Sequence, residues 1–394
     1  MANIEVDRLR PRQGPRPSGR PVASCSTAAS LAVVMTLVST LAGCSVPEAS
    51  SSTFRVETVV SGLDTPWDLT WGPDDAIWVT ERPGRVSRVD PITGALTLVG
   101  LIEVHEQSES GLMGMAFHPD FGAQPYVYFA HSYDVGSGIE NRLIRMTYDG
   151  TELVAPEILI DAIPGRGNHN GSRLAVGPDR LLYMTTGDAG RTELAQDLGS
   201  TAGKILRVTL DGQPAPDNPF GTLVYSYGHR NPQGIVFHPQ TGDLYIAEHG
   251  PNDNDEVSRV VRGGNFGWPD VHGFCDGDTS GEEAYCQSND VEEPLEAWTP
   301  TEGVSGIAYY DHDRMAGWRG SLLVTSLTGS AMFRLTLSDD GRSIVGRETL
   351  YRGEFGRLRD VLVAPDGVVY LATSNRDGRG RPDDDDDRIL RIVP

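Results

Sequence analysis

The chain has 394 residues, of which 38% are hydrophobic and 22% are charged, so it is long enough to form one large globular domain or two ordinary ones. Its 46 glycines and 26 prolines indicate many turns and therefore many short strands. The formal net charge of −22 argues against nucleic acid as a partner, because an acidic protein repels phosphate backbones.

Residues 1–53 are predicted to be a lipoprotein signal segment and a flexible tether outside the fold. Arginines precede an apolar run at 28–41 that is too short for a stable membrane span. The run ends in Leu-Ala-Gly-Cys, which resembles the processing box of bacterial lipoproteins. The resemblance implies export, cleavage before Cys44, and lipid attachment of Cys44 to the outer face of the cell membrane. An uncleaved or simply secreted periplasmic or extracellular form is the alternative.

Two of the four cysteines remain for the folded part of the chain. Cys275 and Cys286 close a short acidic loop, and export favours their oxidation to a disulfide. Zinc is the weaker alternative, since only His272 is nearby and the loop offers no second Cys-x-x-Cys.

One pattern recurs six times from residue 63 onward. Each copy has a polar approach, a strand of alternating apolar and polar residues, a tight turn, and a second strand centred on an aromatic residue. The copies are 63–90, 111–150, 168–212, 228–267, 303–341 and 356–394. Most copies add a third strand in which basic and apolar residues alternate. We therefore predict an all-β fold, a six-bladed β-propeller of four-stranded antiparallel blades over 54–394, with 54–60 closing the ring.

In a propeller, the segments that lead into the first strand of each blade face the same mouth of the central channel. Here they are 109–112, 168–171, 228–234, 302–306 and 356–360. The ends of the second strands add Asp188, His249-Gly250-Pro251, Thr328 and 374–375. One mouth is thus predicted to gather a histidine, three arginines, amides and carboxylates.

His169 and Asp188 have the placement of a general base and its orienting carboxylate. Antiparallel pairing of 173–176 with 181–186 brings both residues to the same end of a hairpin. The alternative is that His169 is an ordinary loop histidine.

Arg230, Arg357 and Arg359 converge in an otherwise acidic protein, which favours a ligand with several carboxylates or phosphates. The alternative is that each arginine forms a salt bridge on the rim.

The 248–256 loop is rich in oxygen ligands and suits calcium, with an acidic surface turn as the alternative. A second acidic run, 383–387, is expected to be a solvated loop. Four tryptophans are expected to pack within blades: Trp67, Trp78, Trp268 and Trp298.

Six motifs together resemble the glucose/sorbosone dehydrogenase family, soluble aldose sugar dehydrogenases that use pyrroloquinoline quinone (PQQ) and calcium on a six-bladed propeller. They are Asn-His-Asn-Gly-Ser-Arg-Leu (168–174), Thr-Thr-Gly-Asp (185–188), Tyr-Gly-His-Arg-Asn-Pro-Gln-Gly (227–234), Glu-His-Gly-Pro with Asp-Glu (248–256), Asn-Phe-Gly-Trp-Pro (265–269) and Gly-Arg-Leu-Arg-Asp-Val (356–361). The resemblance covers essentially the whole chain after residue 54.

The resemblance implies a role for each matching residue. His169 would take the proton of the sugar anomeric hydroxyl while Asp188 holds its imidazole. The implied cofactor contacts are Arg230, Arg357 and Arg359 to carboxylates, Asn231 to a quinone oxygen, and further contacts from Glu109, His249 and Thr328. The implied calcium ligands are the carbonyls of Gly250 and Pro251.

Two positions depart from the family pattern. Thr328 stands where sugar-oxidising members have a lysine, and this lost cation is expected to weaken cofactor binding or change its tuning. Glu109 stands where they have a glutamine, and a carboxylate near an anionic quinone is unfavourable unless it is protonated or faces calcium.

The predicted function is PQQ- and calcium-dependent oxidation of an aldose to its lactone, with electrons passed to an external acceptor. The expected partners are a sugar, that acceptor, and a membrane through the lipid anchor, and a homodimer is possible. The alternatives are a non-catalytic ligand-binding propeller, which would not need His169 and Asp188, and a calcium-dependent lactonase, which would not need the three arginines.

Overall fold

The computed structural model describes residues 54–394, in which 24 strands form six four-stranded antiparallel sheets. The predictions for residues 1–53, including lipid attachment at Cys44, lie outside the described residues. Blade 1 consists of β2 (Pro66–Trp71), β3 (Ile77–Glu81), β4 (Arg85–Val89) and β5 (Leu96–Leu101). Blade 2 consists of β6 (Leu112–Phe117), β7 (Tyr126–Asp134), β8 (Ile139–Tyr148) and β9 (Leu153–Pro164). Blade 3 consists of β10 (Gly171–Val176), β11 (Leu182–Thr186), β12 (Lys204–Val208) and β13 (Val224–Tyr227).

Blade 4 consists of β14 (Pro232–Phe237), β15 (Leu244–Glu248), β16 (Asp255–Val260) and β17 (Glu296–Trp298). Blade 5 consists of β18 (Val304–Tyr310), β19 (Ser321–Ser326), β20 (Ala331–Leu337) and β21 (Ile344–Leu350). Blade 6 consists of β22 (Leu358–Val363), β23 (Val369–Thr373), β24 (Arg388–Val393) and the N-terminal strand β1 (Arg55–Ser61). A 3₁₀ turn at Thr192–Ala195 and helix α1 (Glu282–Ser288) are short additions. The described residues include no helix long and apolar enough to cross a membrane.

The ring is closed both by packing and by pairing. The first strand of each blade contacts the first strands of both neighbouring blades, including β2 against β22. The N-terminal strand β1 pairs with the C-terminal strand β24, from Arg55 opposite Val393 to Ser61 opposite Arg388. The predicted six-bladed propeller and the closing strand are therefore confirmed.

Six apolar cores hold the blades together, one between each neighbouring pair of sheets. The alternating strands place apolar side chains on both faces of every blade, so a blade buries them only against its neighbours. Between blades 1 and 2, for example, the fully buried Trp78 packs edge-on against Phe117 with ring centroids 5.1 Å apart. This packing explains why the repeats form one ring.

Every blade has an irregular pairing near the start of its first strand, at the mouth. The register shifts between Pro66 and Asp68, Leu112 and Met115, Gly171 and Leu174, Pro232 and Gly234, Val304 and Ile307, and Leu358 and Asp360. Bulges of this kind re-aim side chains and are frequent beside active sites.

A buried charge network joins the first strands of blades 1, 3 and 6. Arg173 Nη1 lies 3.0 Å from Asp68 Oδ2 and 2.9 Å from Asp360 Oδ2, and its guanidinium stacks on Trp67. Two carboxylates share one guanidinium here, and burial together with the charge of Asp68 raises the pKa of Asp360 to about 6.

The structure also tests the predictions for individual segments. Cys275 and Cys286 form the expected disulfide, in the insertion between β16 and β17. The acidic segment 248–256 is not one loop, because Glu248 ends β15 and Asp255 begins β16, where the two strands pair. The run 383–387 is only partly solvated, since Asp386 and Asp387 are buried and accept hydrogen bonds from Asn375.

Candidate active site at the channel mouth

A histidine, a carboxylate and an indole form a hydrogen-bonded chain beside blade 3. His169 precedes β10 and Asp188 follows β11, and Gly171 pairs with Thr186, so both side chains lie at the same end of the hairpin, as predicted. His169 Nδ1 lies 2.8 Å from Asp188 Oδ1, and Trp268 Nε1–H donates to Asp188 Oδ2 at 2.9 Å. The Asp188 side chain is fully buried, whereas that of His169 is 17% exposed. The contact to Nδ1 leaves Nε2 as the nitrogen available to a ligand.

Trp268 does not have the blade-packing role that its sequence context suggested. Besides its bond to Asp188, its ring stacks on His272 at 5.0 Å and lies 5.4 Å from the guanidinium carbon of Arg230. The indole therefore links the hairpin that carries His169 and Asp188 to Arg230. The other three tryptophans are buried in the blades as expected.

The backbone around His169 explains the glycine of the Thr-Thr-Gly-Asp motif. His169 has φ 57°, in the left-handed region that non-glycine residues rarely adopt. Its carbonyl accepts the N–H of Ala189 at 3.1 Å. A Cβ on Gly187 would lie 2.0 Å from the same carbonyl oxygen, so a side chain does not fit at that position.

Glu248 positions two of the predicted cofactor contacts. Its buried carboxylate accepts the backbone N–H groups of Arg230 and Asn231 and lies 2.9 Å from His229 Nδ1. His229 is fully buried and stacks on Phe266 at 4.5 Å. The Gly-His-Arg-Asn motif thus folds around this carboxylate, and Arg230 and Asn231 are fixed relative to blade 4.

Two of the three predicted arginines, the half-buried Arg230 and the buried Arg359, donate to neutral acceptors. Arg230 Nη1 donates to the carbonyl of His249 at 2.7 Å, and Arg359 Nη1 donates to Gln233 Oε1 at 2.7 Å. Burial lowers the pKa of Arg230, and it lowers the pKa of Arg359 to about 10 despite nearby carboxylates. Desolvated cations of this kind would be stabilised by an anion.

The third arginine and Glu109 are already paired within the protein. Arg357 donates through Nε and Nη2 to Asp377 Oδ2 at 2.9 and 2.7 Å. Glu109 pairs with Arg379, from the segment that follows β23. Burial by itself would raise the pKa of Glu109, but the bond and charge of Arg379 with the charge of Arg359 hold it below its usual value. Neither protonation nor calcium is needed to accommodate Glu109, because an arginine supplies the opposite charge.

Five buried polar atoms at this mouth have no hydrogen-bond partner among the described residues. They are Glu109 Oε2, Arg230 Nε, Asn231 Nδ2, Arg359 Nε and Ser374 Oγ. Buried polar groups are nearly always satisfied in native proteins, so a cluster of such atoms indicates the place of a polar ligand. The four donors fit a flat molecule that carries carboxylates and carbonyl oxygens, which is the chemistry of PQQ, whereas the Glu109 oxygen can only accept a hydrogen bond.

The 249–251 segment presents two free main-chain oxygens. Asp255 fixes this segment, because its buried carboxylate lies 3.0 Å from His249 Nδ1 and accepts the Gly250 N–H at 2.8 Å. The carbonyls of Gly250 and Pro251 accept no hydrogen bond from residues 54–394. No group of three or more His, Cys, Asp or Glu side chains suited to a metal occurs in that range. A calcium ion at this place would use the main-chain oxygens.

Thr328 lies at the rim, exposed, in the turn after β19. Its side chain makes no hydrogen bond within the described part of the chain, and it supplies no charge. The neighbouring Arg352 donates to the carbonyl of Gly329 at 3.1 Å and to Glu302 Oε1 at 2.9 Å. Thr328 therefore brings neither a charge nor a side-chain hydrogen bond to the mouth, in contrast to the predicted contacts Glu109, His249, Arg230 and Arg359.

Similarity to known proteins extends over nearly all of the described residues. The family model for glucose/sorbosone dehydrogenase matches residues 63–390. The chain belongs to the glucose/sorbosone dehydrogenase family. Quinoprotein glucose dehydrogenase B of Acinetobacter calcoaceticus is 31% identical over 425 residues, which cover 86% of this chain and 88% of the relative.

Two solved structures with higher identity agree with this assignment. The PQQ-bound form of aldose sugar dehydrogenase from Streptomyces coelicolor is 38% identical, has a TM-score of 0.76, and is matched over 86% of this chain and 98% of that one. A Thermus thermophilus protein, named as an oxidoreductase (glucose dehydrogenase), is 42% identical, has a TM-score of 0.77, and is matched over 86% of this chain and 100% of that one. These relatives support an oxidoreductase that acts on sugars.

Several residues that build the mouth were not assigned a role from the sequence. Glu248 and Asp255 stand within the predicted calcium loop. Glu248 ends one strand and Asp255 begins the next, and this placement could have indicated that each carboxylate holds the backbone in place. Asp377 and Arg379 stand in the Arg-Asp-Gly-Arg-Gly-Arg segment, whose composition is that of an ordinary turn. Only their contacts reveal where they lie.

Proposed function

We propose that the protein is a PQQ- and calcium-dependent aldose sugar dehydrogenase that oxidises the anomeric hydroxyl to a lactone. The observation that carries this proposal is the cluster of unpartnered buried polar atoms at the mouth, next to the chain formed by His169, Asp188 and Trp268. Recognition groups for an anionic, carbonyl-bearing molecule thus lie beside a histidine prepared to accept a proton.

The arginines and Asn231 would hold the cofactor. Arg230 and Arg359 have free ε N–H groups and lowered pKa values that an anionic ligand would restore. Asn231 keeps Oδ1 engaged with the Gly171 N–H at 3.0 Å, so its Nδ2 group is left to donate. Arg357 already pairs with Asp377, so it can contact the cofactor only while its guanidinium keeps that ion pair. When bound, PQQ supplies a quinone carbon that accepts hydride, and calcium makes that carbon more electrophilic.

His169 performs the proton transfer in this proposal. Asp188 accepts the Nδ1–H, which keeps Nε2 unprotonated and directed to the ligand, so Nε2 takes the proton of the anomeric hydroxyl. The ionised Asp188 then stabilises the imidazolium that results. Trp268 and the Gly190 N–H hold Asp188 in place, with donor distances of 2.9 and 2.6 Å.

Reconstitution of the purified apoprotein tests the proposal. PQQ binding is measured by fluorescence quenching and turnover by dye reduction, over a panel of aldoses and with and without calcium chelation. Wild type should bind PQQ and reduce the dye in a calcium-dependent way. His169→Gln should bind PQQ with unchanged affinity, yet lose about two to four orders of magnitude in turnover.

The same assay separates the competing functions. PQQ binding without turnover for any sugar would favour a ligand-binding propeller. Lactone hydrolysis with calcium alone would favour a lactonase. Absence of PQQ binding would refute the proposed cofactor.

We further propose that the enzyme is exported and lipid-anchored through Cys44, and that it passes electrons to an external acceptor. The supporting observations are the Leu-Ala-Gly-Cys box and the disulfide, which suits an oxidising compartment. Mass spectrometry of the mature N-terminus decides the first point, since an unmodified terminus upstream of residue 44 contradicts it. A homodimer is to be tested by sedimentation.

A further inference from the structure

An ion pair connects two non-adjacent blades at the mouth. Glu109 stands just before β6 of blade 2, and Arg379 stands in the 376–387 segment between β23 and β24 of blade 6. Arg379 Nη2 also donates to Ser108 Oγ at 3.2 Å. Blades 2 and 6 are separated by blade 1, so this contact bridges the opening and not a blade interface.

The 376–387 segment is a built structure. Its carboxylates Asp386 and Asp387 are buried and hold Asn375, and Asp377 pairs with Arg357 while it accepts the Arg379 N–H at 2.9 Å. Arg379 is therefore delivered to Glu109 by a segment that is fixed at both ends.

The charges around Glu109 identify what this pair does. The Glu109 side chain is 14% exposed, one of its oxygens has no partner among the described residues, and the cations facing it are Arg379, Arg359 and Arg230, with the His249 imidazole nearby. Without Arg379, an ionised Glu109 would stand among the groups that recognise an anion and would oppose its binding, because like charges repel each other.

We propose that Arg379 is a positioning residue that neutralises Glu109, so that the mouth can accept a polycarboxylate anion. This inference rests on the proposed function only for the identity of that anion as PQQ. Arg379 acts through Glu109: the requirement for Arg379 exists because residue 109 is a carboxylate.

A double-mutant cycle tests this, with dissociation constants for PQQ measured by fluorescence quenching of apoprotein in excess calcium. Arg379→Gln should weaken PQQ binding about tenfold or more near pH 7.5, and the loss should shrink as the pH is lowered and Glu109 takes up a proton. Glu109→Gln removes the charge that Arg379 balances, so its own effect on PQQ affinity should be smaller than that of Arg379→Gln. In the Glu109→Gln background, Arg379→Gln should weaken binding by about threefold or less.

Arg391→Gln is the matched control, because Arg391 pairs with Glu57 in the same blade but on its outer edge, with Nε 2.8 Å from Oε2. It removes the same charge and should leave PQQ affinity unchanged. If the double variant binds as weakly as Arg379→Gln, then Arg379 contacts the ligand directly or only supports the fold, and the proposal is wrong. An equal loss in Arg391→Gln would also overturn it.

A second ligand separates this proposal from the cofactor assignment. The same cycle is measured by calorimetry with benzene-1,3,5-tricarboxylate, which has no redox chemistry. If wild type binds the tricarboxylate but not PQQ, and the cycle has the predicted pattern, the proposed function fails and the role of Arg379 stands. If neither ligand binds, both are refuted.

Discussion

The carboxylate of Asp188 offers the sharpest test of how this mouth works. Its two oxygens serve three donors, because Oδ1 receives His169 Nδ1 at 2.8 Å and the Gly190 N–H at 2.6 Å, while Oδ2 receives Trp268 Nε1–H at 2.9 Å. The side chain is fully buried, so bulk water does not reach it. In Asp188→Asn, one oxygen becomes an NH₂ group that cannot accept.

The better orientation of the introduced asparagine keeps its oxygen on His169 and Gly190 and turns its NH₂ group toward the Trp268 N–H. Two donors then face each other, at a cost of about 1 to 3 kcal/mol for the unsatisfied group. His169 keeps its tautomer but loses the charge that stabilises its protonated form. At about 4 Å and an effective dielectric constant of about 20, that charge contributes about 4 kcal/mol, or roughly a thousandfold in rate.

The assay is dye reduction with PQQ-reconstituted enzyme, together with the PQQ dissociation constant and the urea unfolding free energy. We expect Asp188→Asn to lose about 10² to 10⁴ in kcat with PQQ affinity unchanged. Trp268→Phe keeps an aromatic ring beside Arg230 and leaves the bond between His169 and Asp188 intact, so it should lose about tenfold or less. Turnover within a few-fold of wild type for Asp188→Asn, or an equal loss in PQQ affinity, would refute this account.

Three further predictions concern stability and are measured by urea unfolding. Gly187→Ala should lower the free energy of unfolding by about 1 to 3 kcal/mol, because its Cβ would lie 2.0 Å from the carbonyl oxygen of His169. An unchanged urea midpoint would contradict this. Arg173→Met should lower the free energy of unfolding by about 3 to 5 kcal/mol, since it leaves two buried aspartates without their shared cation. A loss below about 1 kcal/mol would show that the two aspartates do not depend on Arg173. Burial lowers the pKa of His131 from 6.5 to about 4, so the unfolded chain binds the proton first and stability should fall, by about 3 kcal/mol at most, as the pH drops from about 6.5 to 4. His131→Asn should flatten that pH dependence, and an unchanged slope would count against it.

The sequence determined the fold because its signals are local and repeated. Six copies of one strand pattern predict six sheets. Because the strands place apolar side chains on both faces of a sheet, each sheet is predicted to be buried between two neighbours. The same periodicity places His169 and Asp188 at one end of a hairpin, since the pairing of β10 with β11 follows from the turn between them. Sequence motifs likewise brought Arg230, Asn231 and Arg359 to one mouth.

Only the tertiary structure decided how the charges of that mouth are paired. Glu109 and Arg379 are separated by 270 positions and Arg357 and Asp377 by 20, and no periodic pattern relates the members of either pair. Trp268 reaches Asp188 from an insertion outside the repeat, and bulges at the start of every first strand re-aim the side chains that line the opening. These contacts depend on ring closure, which brings loops from separate blades together. Strand patterns are fixed by neighbours in the sequence, whereas the balance of charge in the site is fixed by neighbours in space.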